Sequence, residues 1–340
     1  MSTHPKAFIC GCKGLSLEAQ ERALIARHRP WGLILFKRNI DSPAQVAALA
    51  ASFREIVGRE DAPVLIDQEG GRVQRMGPPH WPAYPAAARF GLIAGGRAAQ
   101  AEAARLNARL MASDLAAVGI NVDCLPVLDV PAPGSHAIVG DRAYGADPET
   151  VAALGRAVCE GMLAQGVLPV VKHIPGHGRA KADSHLELPR VEASRRELEE
   201  VDFAPFKALN DMPLGMTAHV VYAALDPERP GTTSPRVVQE IIRGHIGFDG
   251  LLMSDDLSMK ALSGDFGERA RAVFAAGVDL ALHCNGDWAE TEPVAMAAPE
   301  LAGASLKRAE RALALLTMPR QPLDLVDARA RIHLMLATTA

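Results

Sequence analysis

The chain has 340 residues, 49% of them hydrophobic and 22% charged, with a formal net charge of -4. That much apolar mass can offset the entropy of ordering a large core, which excludes a charged, weakly structured chain. With 36 Lys and Arg against 40 Asp and Glu and no long basic run, a strongly basic nucleic-acid binder is excluded as well.

Five scattered cysteines (Cys10, Cys12, Cys124, Cys159 and Cys284) are too few, and odd in number, for an extracellular disulfide framework. The N-terminus MSTHPKAFICGCKG has no long apolar run after a basic start, and no stretch of about 18 apolar residues follows. The expectation is a cytoplasmic protein with neither a membrane nor a nucleic-acid partner.

In chain order, short apolar runs at Ala7–Cys10, Gly32–Phe36, Pro63–Asp67, Asn121–Leu128 and Val167–His173 read as strands. Leu214–His219, Leu251–Asp255 and Val278–His283 continue the series. Between them, apolar residues at three- and four-residue spacing predict helices over Pro43–Val57, Ala98–Val118, Pro148–Gln165, Ser194–Asn210, Pro235–Gly244 and Gly267–Ala276. Helical patterns at Pro299–Leu316 and Val326–Leu336 close the chain. Eight strands alternating with helices predict an α/β fold, a (β/α)8 TIM barrel, in preference to a doubly wound open sheet. The strands read as near-continuous apolar runs because both faces are covered. Such a barrel needs about 250 residues. The surplus falls in the loops Gln68–Gly91, Val130–Ala146 and Ile174–Val191 and in the C-terminal helices. No linker interrupts the pattern, so one catalytic domain is expected over 1–340, with its core at about 5–300 and the extra helices at about 299–336.

Polar residues end many of these strands: Asp67, Lys172 and His173, His219, Asp255 and His283. In a barrel that position faces the mouth, where βα loops carry function. Any one of them could instead be a helix cap or a satisfied buried polar group; together they predict a ring around one opening. No phosphate-binding glycine motif follows a strand. His173, His177 and His185, with Asp183 nearby, could hold zinc, although their spacing matches no compact zinc pattern.

Three motifs then resemble a known family. Ile66–Arg75 (IDQEGGRVQR), Lys172–Gly178 (KHIPGHG) with Asp183–His185 (DSH), and Ser254–Met259 (SDDLSM) are similar to the bacterial β-N-acetylhexosaminidases of glycoside hydrolase family 3. The match is strongest to the single-domain cytoplasmic enzymes of peptidoglycan recycling. The resemblance implies removal of terminal β-linked N-acetylglucosamine with retention of configuration and no cofactor or metal. It implies that Asp255 is the nucleophile, with Asp256 as the structural alternative, and that His185 is the general acid/base oriented by Asp183. It also implies sugar binding by Asp67, Arg75, Arg142, Lys172 and His173. For Arg75 and Arg142 the alternative is an ion pair with a loop carboxylate such as Asp141.

An imidazole titrates near neutral pH and can serve both half-reactions of a retaining glycosidase without burial. The family's usual GHGDT or GHGNT here reads Gly176-His177-Gly178-Arg179-Ala180. On sequence, Arg179 and Lys181 are expected to favour an anionic aglycone such as an anhydromuramoyl peptide. The partner is then a small glycan, and a barrel of this size can be a monomer. The competing readings are a zinc-dependent barrel hydrolase using His173, His177 and His185, and a sugar-binding barrel without catalysis.

Overall fold

The computed structural model describes residues 4–181, 184 and 187–338. Its centre is a closed barrel of eight parallel strands: β1 (Lys6–Cys10), β2 (Pro30–Leu35), β3 (Val64–Ile66), β4 (Val122–Asp123), β5 (Leu168–Ile174), β6 (Leu214–Thr217), β7 (Leu251–Asp256) and β8 (Leu280–His283). Each strand lies beside its successor, and β8 returns against β1 with Ile9 opposite Leu282. The (β/α)8 fold expected from the pattern is the fold observed.

Side-chain alternation fixes what the barrel contains. Ile9, Leu65, Val122, Val170, Leu214, Met253 and Leu280 belong to one buried interior cluster, whereas Phe8, Val64, Val171 and Leu252 pack outward beneath the helices. Continuing the inward phase two residues up from Leu65, Val170 and Met253 reaches Asp67, Lys172 and Asp255. The polar layer at the mouth is therefore the top layer of the same interior.

Two bulges adjust that layer. Between β5 and β6 the register shifts between Lys172 and Ile174, and between β7 and β8 it shifts between Met253 and Asp256. A bulge adds a residue to one strand and re-aims its side chains; here the added residues bring His173 and the Asp255–Asp256 pair to the rim. Strand β4 is shorter than its apolar run: the Leu125 amide turns back to the Asp123 carbonyl at 2.8 Å, and Pro126 beyond it has no amide hydrogen to donate. Contact with β5 resumes as a bridge between Val127 and Lys172.

The helices largely follow the apolar spacing, and Pro43–Val57 is observed over those bounds. The helix expected over Ser194–Asn210 is broken into Arg195–Glu197, a π-helical turn Leu198–Asp202 and Ala204–Ala208. Pro205 again lacks the donor, and the Phe203 amide reaches back five residues to the Leu198 carbonyl at 2.8 Å. Two further helices have weak sequence signals. Ala19–His28 buries only Glu21, Ile25 and His28, and Trp288–Ala297 contains Pro293.

The opposite end of the barrel is stoppered. Trp31, Leu301, Ala309 and Ala312 join the interior cluster, the last two from the helix Gly303–Ala314. Asp279 ties this end together. It accepts from Arg243 at 2.6 Å, the Leu252 amide at 2.9 Å, Ser305 at 2.5 Å and Arg308 at 3.2 Å, and it is 3% exposed. Asp279→Ala would leave two arginines without their shared carboxylate, a loss of about 3–5 kcal/mol. The expected result is a lower urea midpoint with unchanged activity per folded molecule, measured by denaturation and by assay at low temperature.

Candidate active site

A polar pocket of about 180 Å³ opens at the C-terminal end of the strands, lined among others by Phe36, Asp67, Arg75, Lys172, His173, Met216, Asp255 and Cys284. Enclosed sites for drug-sized ligands occupy roughly 300–1,000 Å³, so this one suits a single ring rather than a chain.

Its floor is organised by charge. The Lys172 ammonium, 2% exposed, contacts Asp67 at 3.0 Å and Glu69 at 2.7 Å. Asp67 also receives Arg75 at 3.0 Å, while Glu69 receives Arg142 through two hydrogen bonds of 2.7 Å. Burial alone would raise both carboxylates. For Asp67 the cations Lys172 and Arg75 outweigh burial, and for Glu69 Lys172 and Arg142 do; each is held below the usual carboxylate range. Burial alone would likewise lower Lys172, but Asp67 and Glu69 hold it above its ordinary value. Beside them, burial pushes Asp123 well above the usual carboxylate range.

Arg75 and Arg142 are thus paired, but with Asp67 and Glu69; Asp141 is taken by Arg72 at 2.8 Å. Glu69 is the residue that sequence reasoning missed. It stands two positions after Asp67 inside the first motif, in the inward phase, which was the available signal.

The adjacent aspartates of β7 have different surroundings. Asp256 accepts from the Ser258 amide at 3.0 Å, the Cys284 amide at 3.1 Å and the Ser258 hydroxyl at 2.5 Å. Asp255 lines the pocket, and one of its oxygens accepts from the Asp256 amide at 2.8 Å. His219 supports the turn from beneath. Its Nε2 lies 3.1 Å from the Asp256 carbonyl, which can only accept, so Nε2 donates there, while Nδ1 lies 2.7 Å from the Thr232 hydroxyl. Burial lowers His219 below its ordinary value.

A second buried carboxylate organises the next loop. Asp129 receives His173 Nδ1 at 2.7 Å and the amides of His173 and His177 at 3.2 and 2.7 Å. Burial would raise it, yet His173 and then His177 bring it down to about 2. His177 Nε2 in turn lies 3.3 Å from the Ser184 hydroxyl. Asp183 and His185, the residues on either side of Ser184, lie outside the described residues. Among the described residues no group of three or more His, Cys, Asp or Glu is arranged to hold a metal.

Two expectations are corrected. His283 does not join the ring at the mouth. It is one residue out of phase with Leu280 and Leu282, so it faces outward against the Phe266 ring, with ring centroids 4.9 Å apart. Arg179 is not an open cation awaiting an anionic aglycone, because it pairs with Asp202 at 2.6 Å.

Comparison with known proteins agrees with this geometry. Residues 9–316 match the glycosyl hydrolase family 3 N terminal domain. A β-hexosaminidase of Pseudomonas aeruginosa is 42% identical over 300 residues, covering 87% of this chain and 84% of the relative. The structure of NagZ from Neisseria gonorrhoeae in complex with N-trifluoroacetyl-D-glucosamine superposes with a TM-score of 0.82 at 31% identity, covering 99% of this chain and 97% of that one. A family 3 β-N-acetylglucosaminidase from Paenibacillus sp. gives a TM-score of 0.80 at 32% identity, covering 98% of this chain and 62% of that longer one. The chain belongs to glycosyl hydrolase family 3, in its β-hexosaminidase branch, and is a glycoside hydrolase. No helix among the described residues is long and apolar enough to cross a membrane.

Burial outweighs Asp129 at His177 and lowers it to about 4. An unfolded chain would protonate the same imidazole at about 6.5. Between those values only the unfolded state binds the proton, so this residue's contribution is complete above pH about 6.5 and is lost as the pH falls toward 4. Urea titrations across that window are expected to show stability falling by a few kcal/mol more in the wild type than in His177→Gln.

Proposed function

We propose that the protein is a metal-free, retaining exo-β-N-acetylglucosaminidase, with Asp255 as nucleophile and His185 as general acid/base oriented by Asp183. The observation that carries this reading is the contrast within β7. Both line the one-ring pocket beside the Asp67–Lys172–Arg75 cluster, but Asp256 is out of the inward phase and has its oxygens engaged by three donors from the following turn and from Cys284, whereas Asp255 stands in the inward phase two residues above Met253.

In the first step an Asp255 oxygen bonds to the anomeric carbon as the glycosidic C–O bond breaks. The departing oxygen takes the His185 proton. In the second step neutral His185 removes a proton from water, the water oxygen bonds to the anomeric carbon and the Asp255 ester is released. Two inversions give net retention. Asp67 and Lys172 present an acceptor and a donor to the sugar hydroxyls, with Arg75 and His173 at the same wall. Arg142 acts through Glu69, which it holds against Lys172.

A pocket for one ring supports cleavage at a chain terminus, with the aglycone outside. Together with the motif resemblance, this favours peptidoglycan fragments, N-acetylglucosaminyl-anhydromuramoyl peptides, as the natural substrates of a single-domain cytoplasmic enzyme. A fluorinated N-acetylglucosamine analogue that keeps the 2-acetamido group, such as a 5-fluoro glycosyl fluoride, is expected to label Asp255, identified by peptide mass spectrometry. Asp255→Ala is expected to lose on the order of 10³-fold or more in kcat on an aryl β-N-acetylglucosaminide. Turnover is expected to survive chelator. Label on Asp256 would refute the nucleophile, and chelator inactivation would return the zinc-dependent alternative.

A further inference from the structure

The segment between β5 and the DSH motif is gripped from several sides. On one side the Ala132 amide donates to the Gly178 carbonyl at 3.0 Å and the His136 amide to the Ala180 carbonyl at 2.8 Å. A Cβ on Gly178 would lie 1.9 Å from the Val130 carbonyl oxygen, so only glycine fits against that loop. From beneath, the His177 amide donates to Asp129 and the Tyr222 hydroxyl to the Gly176 carbonyl, at 2.7 and 2.8 Å. On the far side stands Asp202, the last residue of the π-helical turn. A Cβ on Gly176 would come within 3.0 Å of the Asp202 Cβ, so the backbone passes directly against it.

Arg179 closes this grip. Its Nε donates to Asp202 Oδ2 at 2.6 Å, with the two side chains 22% and 1% exposed. The other oxygen, Asp202 Oδ1, has no hydrogen-bond partner among the described residues. Arg179 is therefore the principal compensation of a buried carboxylate, and the pair is costly to separate. The chain leaves the grip at Lys181 and reaches Asp183 and His185 within the next four residues of sequence.

We infer that Arg179, through its ion pair with Asp202, is a positioning residue for the general acid/base: it fixes the point from which the Asp183–His185 segment departs. This inference rests on the assignment of His185 made above. A misplacement of the acid of about 1 Å can cost on the order of 100-fold when the leaving group needs a proton. It costs little when the leaving group departs unaided.

The test compares kcat/KM, which reports the first bond cleavage, on two β-N-acetylglucosaminides. One carries a dinitrophenolate leaving group and the other a simple alkoxide. Arg179→Ala is expected to slow the alkyl glycoside by roughly 10- to 100-fold and the dinitrophenyl glycoside by less than about 3-fold. Arg179→Lys, which keeps the charge opposite Asp202, is expected to restore most of the loss. Should Arg179→Ala fail to fold, Arg179→Gln carries the same comparison. An equal loss on both substrates, or no loss on either, overturns the proposal. His185→Ala separates the two ideas. If it discriminates between the leaving groups while the Arg179 variants do not, the positioning role alone fails. If it does not discriminate, the acid/base assignment fails and the positioning role falls with it.

Discussion

A lysine ammonium buried inside a barrel has to be neutralised where it stands, and much of this site follows from that requirement. Lys172 lies in the inward phase of β5, where water is excluded and an unpaired charge would be prohibitive. Asp67 meets it from the end of β3, and Glu69 meets it two residues later. Two carboxylates against one cation would repel each other, so Arg75 and Arg142 each take one of the outer faces. The cluster then holds three cations and two anions, and burial pushes the neighbouring Asp123 well above the usual carboxylate range. What is left is a rigid floor of donors and acceptors with a residual positive charge, next to the carboxylate of Asp255.

The same economy of partners separates residues that look alike. Asp255 and Asp256 are chemically identical neighbours, and the bulge in β7 lets both sit at the rim. Asp256 binds the following turn and the Cys284 amide and so shapes the mouth. His219, which does not itself line the pocket, secures the Asp256 carbonyl from below and so helps to fix the strand end bearing Asp255. Asp129 does for the β5 loop what Lys172 does for the floor: one buried charge collects two histidines and sets the path of the chain.

The barrel was legible in the sequence because eight buried parallel strands leave eight apolar runs, and a polar residue directly after such a run has few other places to go. The family motifs carried most of the site. His283 shows where position alone falls short: without a bulge a strand-end residue reaches the mouth only in the inward phase, and counting from Leu280 and Leu282 excludes it. The same count would have included Glu69. The partner of Arg179 could not be read in this way. Asp202 is 23 residues distant and buried by a π-helical turn, which periodicity renders as an ordinary helix. The helices Ala19–His28 and Trp288–Ala297 escaped for the opposite reason, since one buries few apolar side chains and the other contains a proline.

The stopper at the far end of the barrel, formed by Trp31, Leu301 and the helix Gly303–Ala314, has a kinetic meaning as well as a structural one. With that end sealed, the described residues leave the pocket its opening at the C-terminal ends of the strands. In the two-step reaction proposed above, aglycone and water would share that opening, so the aglycone would have to vacate the threshold before water reached the anomeric carbon. Another hydroxyl compound waiting there would compete with water as acceptor, and the outcome would be set by traffic at the entrance.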